Sequence, residues 1–146
     1  MTRSEFETLI EEPYIYANLL GFDLITPFHN DWISKLAWLD DDYTLQAHRD
    51  SYKTTCLIVA VTMVMILRPT ETILLLRKES GSTIEFVRAV KKCLTHPVTQ
   101  EMAKFIYGQE VAFLKETQTE LHTNLFKNDG AKESQLVADG IRSFAI

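Results

Sequence analysis

"LQAHRDSYKTTCLIVAVTMVMIL", residues 45–67, puts a polar stretch directly before an apolar run, Cys56 to Leu67, broken only by Thr62. A run this apolar, stopped by Arg68-Pro69, predicts a helix over 54–67 that is buried on most sides. Just before it, "YTLQAH" (43–48) has the Tyr, Thr and Leu content of a short strand, so 49–53 becomes a strand-to-helix turn. Downstream, "TILLLRK" (72–78) is a continuous apolar run between a Pro-containing turn and Gly81, which predicts a strand covered on both faces. Ile84, Val87, Arg88, Val90, Lys91 and Leu94 then fall at helical spacing, and a further helix over 97–107 stops at Gly108. Helices are also predicted over 4–12 and over 30–39, the second from Trp32, Ile33, Leu36, Ala37 and Leu39. "EVAFLKETQTELHTNLF" alternates about the polar centre Glu116-Thr117-Gln118 and predicts a β-hairpin. "KNDGAKES" is a loop, and "QLVADGIRSFAI" opens one or two more strands. This alternation of strands and helices predicts an α/β fold with a parallel sheet and right-handed crossovers.

Composition narrows the function. At 146 residues with 46% hydrophobic and 24% charged residues, the expectation is one domain around one core. A net charge of −5 gives no overall basic field for non-specific binding to DNA or to membranes. Glu5, Glu7, Glu11 and Glu12 occupy the N-terminal stretch where a signal peptide needs an apolar core, and the longest apolar run is too short for a bilayer, which takes about 20 residues. Cys56 and Cys93 lack metal-ligand spacing and read as reduced thiols. A cytoplasmic protein without a membrane partner is expected. His96 and His122 have no ligand-spaced partners, and Arg88, Lys91, Lys92 and Lys104 read as solvated helix surface.

The turn carries the chemistry. A Walker A loop, G-x-x-x-x-G-K-[ST] between strand and helix, cradles phosphates with backbone N–H groups, reaches the β and γ oxygens with Lys, and holds Mg²⁺ with Ser/Thr. Here the positions are Ala47, His48, Arg49, Asp50, Ser51, Tyr52, Lys53 and Thr54, with Ala47 and Tyr52 where the pattern has glycine. The alternative is an ordinary connection in which Asp50 or Ser51 caps the helix and Lys53-Thr54 is solvated.

"LQAHRDSYKTT", "CLIVAVTMVMILRPTETILLLRKES", "IEFVRAVKKCL", "AKFIYGQEVAFLKETQTELHTNL" and "SQLVADGIRSFAI" together resemble the N-terminal part of a tailed-phage terminase large subunit. That family supplies the ATPase motor that packages viral DNA into procapsids, followed by a nuclease. The resemblance runs from about Pro27 to the last residue. It implies a helical lead-in over 1–26 and, over 27–146, the first part of a P-loop NTPase-like (ASCE-type) domain. Its most specific piece is His48-Arg49-x-Ser51-Tyr52-Lys53-Thr54-Thr55, since related loops read like HRGSYKTT, with tyrosine before the lysine. It implies ATP and Mg²⁺ as cofactors, with Lys53 on the β and γ phosphates, Thr54 on Mg²⁺ and Arg49 as a charge stabiliser. Phe28 or His29 would lie against the base; the alternative for Phe28 and Trp32 is a place in the core. The implied partners are other terminase subunits and the portal, with double-stranded DNA only in the full motor and the bacterial host cytoplasm as the location.

Asp50 departs from that pattern. It stands where glycine is expected, and a carboxylate ~5 Å from a phosphate charge, at an effective dielectric of ~20, costs roughly 3 kcal/mol, about a hundredfold in affinity. An ATPase of this kind also needs an apolar strand ending in Asp-Glu, and none ends so here. "AWLDDD" (37–42) is the nearest acid cluster and reads as a helix terminus. The expectation is nucleotide binding without hydrolysis by this chain alone, the alternatives being an inactive prophage remnant that serves as an interaction module, or another helicase-like P-loop protein.

Overall fold

The computed structural model describes residues 1–41, 43–47, 51–78, 80–127, 130 and 133–140. Thr2 starts the first helix, Arg3–Glu11 (α1). Its hydroxyl accepts from the Glu5 amide while the Glu5 carboxylate accepts from the Thr2 amide, both at 3.2 Å, a capping box that satisfies two otherwise orphaned donors. Pro13 opens Pro13–Leu19 (α2), a position where its missing N–H costs nothing. A single 3₁₀ turn, Pro27–His29, leads into Asn30–Trp38 (α3). Lys53–Leu67 (α4), Ser80–Thr95 (α5) and Pro97–Tyr107 (α6) follow within a few residues of where periodicity places them. Gly108 ends α6 in the left-handed region at φ 71°, donating its amide to Lys104 O at 2.9 Å, a conformation that glycine adopts without a Cβ clash.

The chain is mixed α/β as expected and the hairpin forms, but the sheet is mostly antiparallel, which corrects the expectation of a parallel sheet. Ile73–Arg77 (β1), Phe113–Glu116 (β2), Glu120–Thr123 (β3) and Leu136–Gly140 (β4) lie in the order β1-β4-β3-β2. Only β1 and β4 run parallel; β3 pairs antiparallel with β4 and with β2. The hairpin is the reason, because β3 returns from its tight turn to lie beside β4 and imposes its own direction on that side. Two further expectations change. Residues 43–47 form no strand, and among the described residues β1 is covered on one face, with Leu74 and Leu76 61% and 46% exposed.

Helix α4 lies between two apolar clusters, and this explains its composition. On one side Ile58, Val61, Met65 and Ile66 pack with Phe86, Val87, Val90 and Leu94 of α5 and with Leu121, Leu136 and Ala138 of the sheet. On the other, Cys56, Val59, Ala60 and Met63 pack with Leu9, Tyr16, Ala17, Ile33, Ala37 and Met102. A helix apolar all round is the expected solution for a middle layer. Its last carbonyls are satisfied by its own C-cap and by two distant groups. Val64 O accepts from Arg68 N at 2.8 Å, Met65 O from Gln135 Nε2 at 2.9 Å, and Ile66 O from the Tyr107 hydroxyl. Buried Tyr16 meets the Thr99 hydroxyl at 2.6 Å and ties α2 to α6. Surface charges pair as solvated groups do: Lys91 with Glu116 at 2.9 Å, Lys104 with Glu110 at 2.7 Å, and Asp40 of the acid cluster with Arg68 at 3.2 Å. Among the described residues, no helix is long and apolar enough to cross a membrane.

Both cysteines are buried as free thiols. Burial raises each from an ordinary value of 9.0 to about 11, although a Thr62 hydrogen bond and the Lys92 charge partly offset the effect at Cys93. Deprotonation is therefore easier in the unfolded chain. The folded state keeps its proton as pH rises through 9, so stability is lost from there up to about 11. Urea unfolding is expected to show a decline of roughly 2 kcal/mol per thiol across that window, and the Cys56→Ala/Cys93→Ala double variant is expected to flatten it.

Candidate phosphate-binding loop

The loop is assembled from its two ends. At the far end, Tyr52 is the N-cap of α4 and sits in the left-handed region at φ 66°, ψ 29°. Among the described residues it is the one non-glycine with positive φ, an arrangement uncommon for a bulky side chain and costing on the order of 1 kcal/mol or more. The pattern G-K-[ST] has glycine at this position because the chain must turn left-handed before the helix starts. The cap supplies no side-chain hydrogen bond to the first turn of α4. Caps of that kind are present on α1, from Thr2, and on α6, where His96 Nδ1 accepts from Val98 N at 3.2 Å.

At the near end, Lys53 folds back so that Nζ donates to Ala47 O at 2.9 Å. The first and seventh positions of the motif are thereby joined at the N-terminus of α4. His48, Arg49 and Asp50 lie outside the described residues. Thr54 is exposed and Thr55 half-buried on the first turn, while half-buried Ser51 carries the turn into Tyr52.

His29 fastens this turn from below. It is 6% exposed, and its Nε2 meets Ser51 O at 3.1 Å while its Nδ1 meets Thr26 N at 3.1 Å. A carbonyl only accepts and an amide only donates, so the ring is held as the tautomer protonated on Nε2. Both nitrogens are spent on backbone, which makes His29 a support of the loop and leaves it nothing to offer a base. Phe28 is 71% exposed and stands edge-on to His29 and Trp32, with centroids 5.5 and 5.3 Å away. The Tyr52 ring approaches His29 at 6.2 Å. Beside them a cavity of about 310 Å³ is bounded by Gly21–Ile25, Tyr52 and Thr55.

Sequence reasoning thus brings Ser51, Tyr52, Lys53, Thr54, Thr55 and His29 to one place. It named Ala47 only as the first position of the motif, since a backbone carbonyl has no side-chain signature, and it missed Thr26, legible only as the Thr-Pro start of a helical turn. No family model, curated protein or solved structure matches the chain.

Strain at Tyr52 gives a direct prediction. Tyr52→Gly is expected to raise the unfolding free energy by up to about 1 kcal/mol, and Tyr52→Val, β-branched at positive φ, to lower it by roughly 1–2 kcal/mol. Denaturant titration of the two variants beside the parent checks both signs.

Proposed function

We propose that residues 47–55 bind the phosphates of a nucleotide, and that the chain corresponds to the nucleotide-loop part of a terminase-type DNA-packaging ATPase. One observation carries this reading: a left-handed, strained Tyr52 delivers Lys53 to the first residue of the motif, directly over a helix N-terminus without a side-chain cap. Backbone strain of this sort persists where the surroundings over-determine it, and an ordinary strand-to-helix connection has no use for it.

The residues present suit Mg²⁺·ATP. The amides of the first turn of α4 would face phosphate oxygens with the favourable end of the helix dipole. Lys53 would exchange its bond to Ala47 O for phosphate oxygen, a transfer from a neutral to a charged acceptor that strengthens the bond. Exposed Thr54 would reach the metal. When bound, the metal would supply charge neutralisation between the β and γ phosphates. The cavity beside Tyr52 and Thr55 offers room for the base and leaves His29 to its supporting role. Within these 146 residues no apolar strand ends in Asp-Glu, so the reading is of binding and not of hydrolysis by this stretch alone. Other motor subunits, the portal and duplex DNA are the partners of the complete motor in this reading.

Calorimetric titration of Mg²⁺·ATP into the chain, with Asp50→Gly in parallel, tests it. Binding in the parent, or binding recovered roughly a hundredfold in Asp50→Gly through removal of carboxylate repulsion, supports the site. Absence of binding in both would leave the loop as a structural turn and favour the interaction-module reading.

A further inference from the structure

We propose that the cavity beside Tyr52 and Thr55 takes a guanine base, whose N1–H and 2-amine both donate to the Asp23 carboxylate. The proposal rests on the phosphate-loop reading and names the class of ligand for that same site. Tyr52 and Thr55 bound the cavity and also belong to the loop, so a base seated there and phosphates at the start of α4 are two ends of one ligand. The volume, about 310 Å³, stands at the lower end for small-ligand pockets, ~300–1,000 Å³, and suits a single flat ring system.

Most of the cavity wall is one fixed loop. Gly21, at a positive φ of 105°, turns the chain out of α2. The amides of Gly21 and Phe22 donate to Asn18 O and Ala17 O, each at 3.0 Å, and the Asn18 side-chain amide donates to Phe22 O at 2.8 Å and to Ile25 O at 2.9 Å. The backbone is thus clamped on both sides of Asp23 and Leu24. Leu24 and Tyr52 are exposed in the wall, apolar surface of the kind a flat base covers. Asp23 lines the cavity as well, and its carboxylate has no hydrogen-bond or ion-pair partner among the described residues.

A free carboxylate only accepts, and this selects among the bases. Guanine alone of the common bases sets two donors side by side, matching both carboxylate oxygens. Adenine and cytosine place a ring-nitrogen lone pair beside the amine, where it meets the second oxygen and repels it. Uracil flanks its one N–H with two carbonyls. A matched bidentate pair against a mismatched one is worth roughly tenfold or more in affinity, and an aspartate open to water gives the low end of that range. Mg²⁺·ATP shares the phosphates and is the weaker ligand.

Calorimetry on the parent chain and on Asp50→Gly, with Mg²⁺·GTP, Mg²⁺·ATP and inorganic tripolyphosphate as probes, tests the assignment. GTP is expected to bind about tenfold more tightly than ATP. Asp23→Asn is expected to erase that preference and to favour xanthosine triphosphate, whose C2 oxygen accepts from the new amide where the guanine amine donated. Its affinity for tripolyphosphate is expected to stay unchanged. ATP bound as tightly as GTP, or a folded Asp23→Asn that still prefers GTP, would overturn the guanine site, while tripolyphosphate binding would leave the loop standing. No binding of any probe to either chain would overturn the loop and the base site together. Should Asp23→Asn fail to fold by circular dichroism, inosine triphosphate decides on the parent chain: lacking the 2-amine, it is expected to bind several-fold more weakly than GTP, and equal binding would overturn the proposal.

Discussion

Lys53→Ala is expected to abolish measurable Mg²⁺·ATP binding, with a loss of at least about a hundredfold in affinity, or ~3 kcal/mol. Two effects act together. The substitution removes the ammonium that would meet phosphate, and it unties the bond from Nζ to Ala47 O that holds the first and seventh positions together. Lys53→Arg separates them, because a guanidinium keeps the charge but not the compact ammonium that reaches Ala47 O. The expected order is parent, then Arg, then Ala, by calorimetry at fixed ionic strength. A Lys53→Ala chain that binds as well as the parent would refute the phosphate site. The far-UV spectrum serves as control, since Lys53 lies at the helix start and makes no core contact.

Gln135→Ala is expected to cost about 2–4 kcal/mol of stability. Gln135 is wholly buried, yet each end of its amide is used. Oε1 accepts from Thr123 Oγ1 at 2.7 Å and from Thr123 N at 3.4 Å, and Nε2 donates to Met65 O at 2.9 Å. Its backbone accepts from Ile73 N and donates to His122 Nδ1 at 3.2 Å. One residue therefore joins β1, β3 and α4 at the point where β4 enters between the two neighbouring strands. Truncation would orphan the buried Met65 carbonyl and take the acceptor from the buried Thr123 hydroxyl, which would still accept from Leu125 N at 3.3 Å. Gln135→Glu is expected to be worse than Gln135→Ala at neutral pH, because it would place a carboxylate against Met65 O. Urea unfolding of both variants measures the differences.

Much of this fold is legible in the sequence wherever punctuation is strong. Arg68-Pro69 closes α4, and Pro97 and Gly108 bracket α6, because a missing amide and a left-handed turn have few alternatives. What resisted reading was pairing. Tyr43, Leu45 and Ala47 are half-buried and Thr44 and Gln46 exposed, so the period of a strand is present without a ladder; alternation describes one chain, whereas a strand requires two. "ILLLR" suits an edge with one bare face as well as a covered centre, and the run alone does not distinguish them. The candidate site was legible through Lys53-Thr54 ahead of the apolar run. The work of His29 was not, because it contacts a backbone carbonyl 22 positions away and backbone acceptors leave no trace in residue identity.

Fifteen residues make α4 about 22 Å long, and its two ends are held in opposite ways. Met65 and Ile66 are anchored at one end by groups from two distant parts of the chain, and at the other end Lys53 is tied back to Ala47 O by a single amine. Sliding the rod by even a fraction of a turn would break the anchored end, so a ligand that recruits Lys53 would release its bond to Ala47 O and leave the axis where it is. The helix is a fixed post, and the loop is the latch mounted on it.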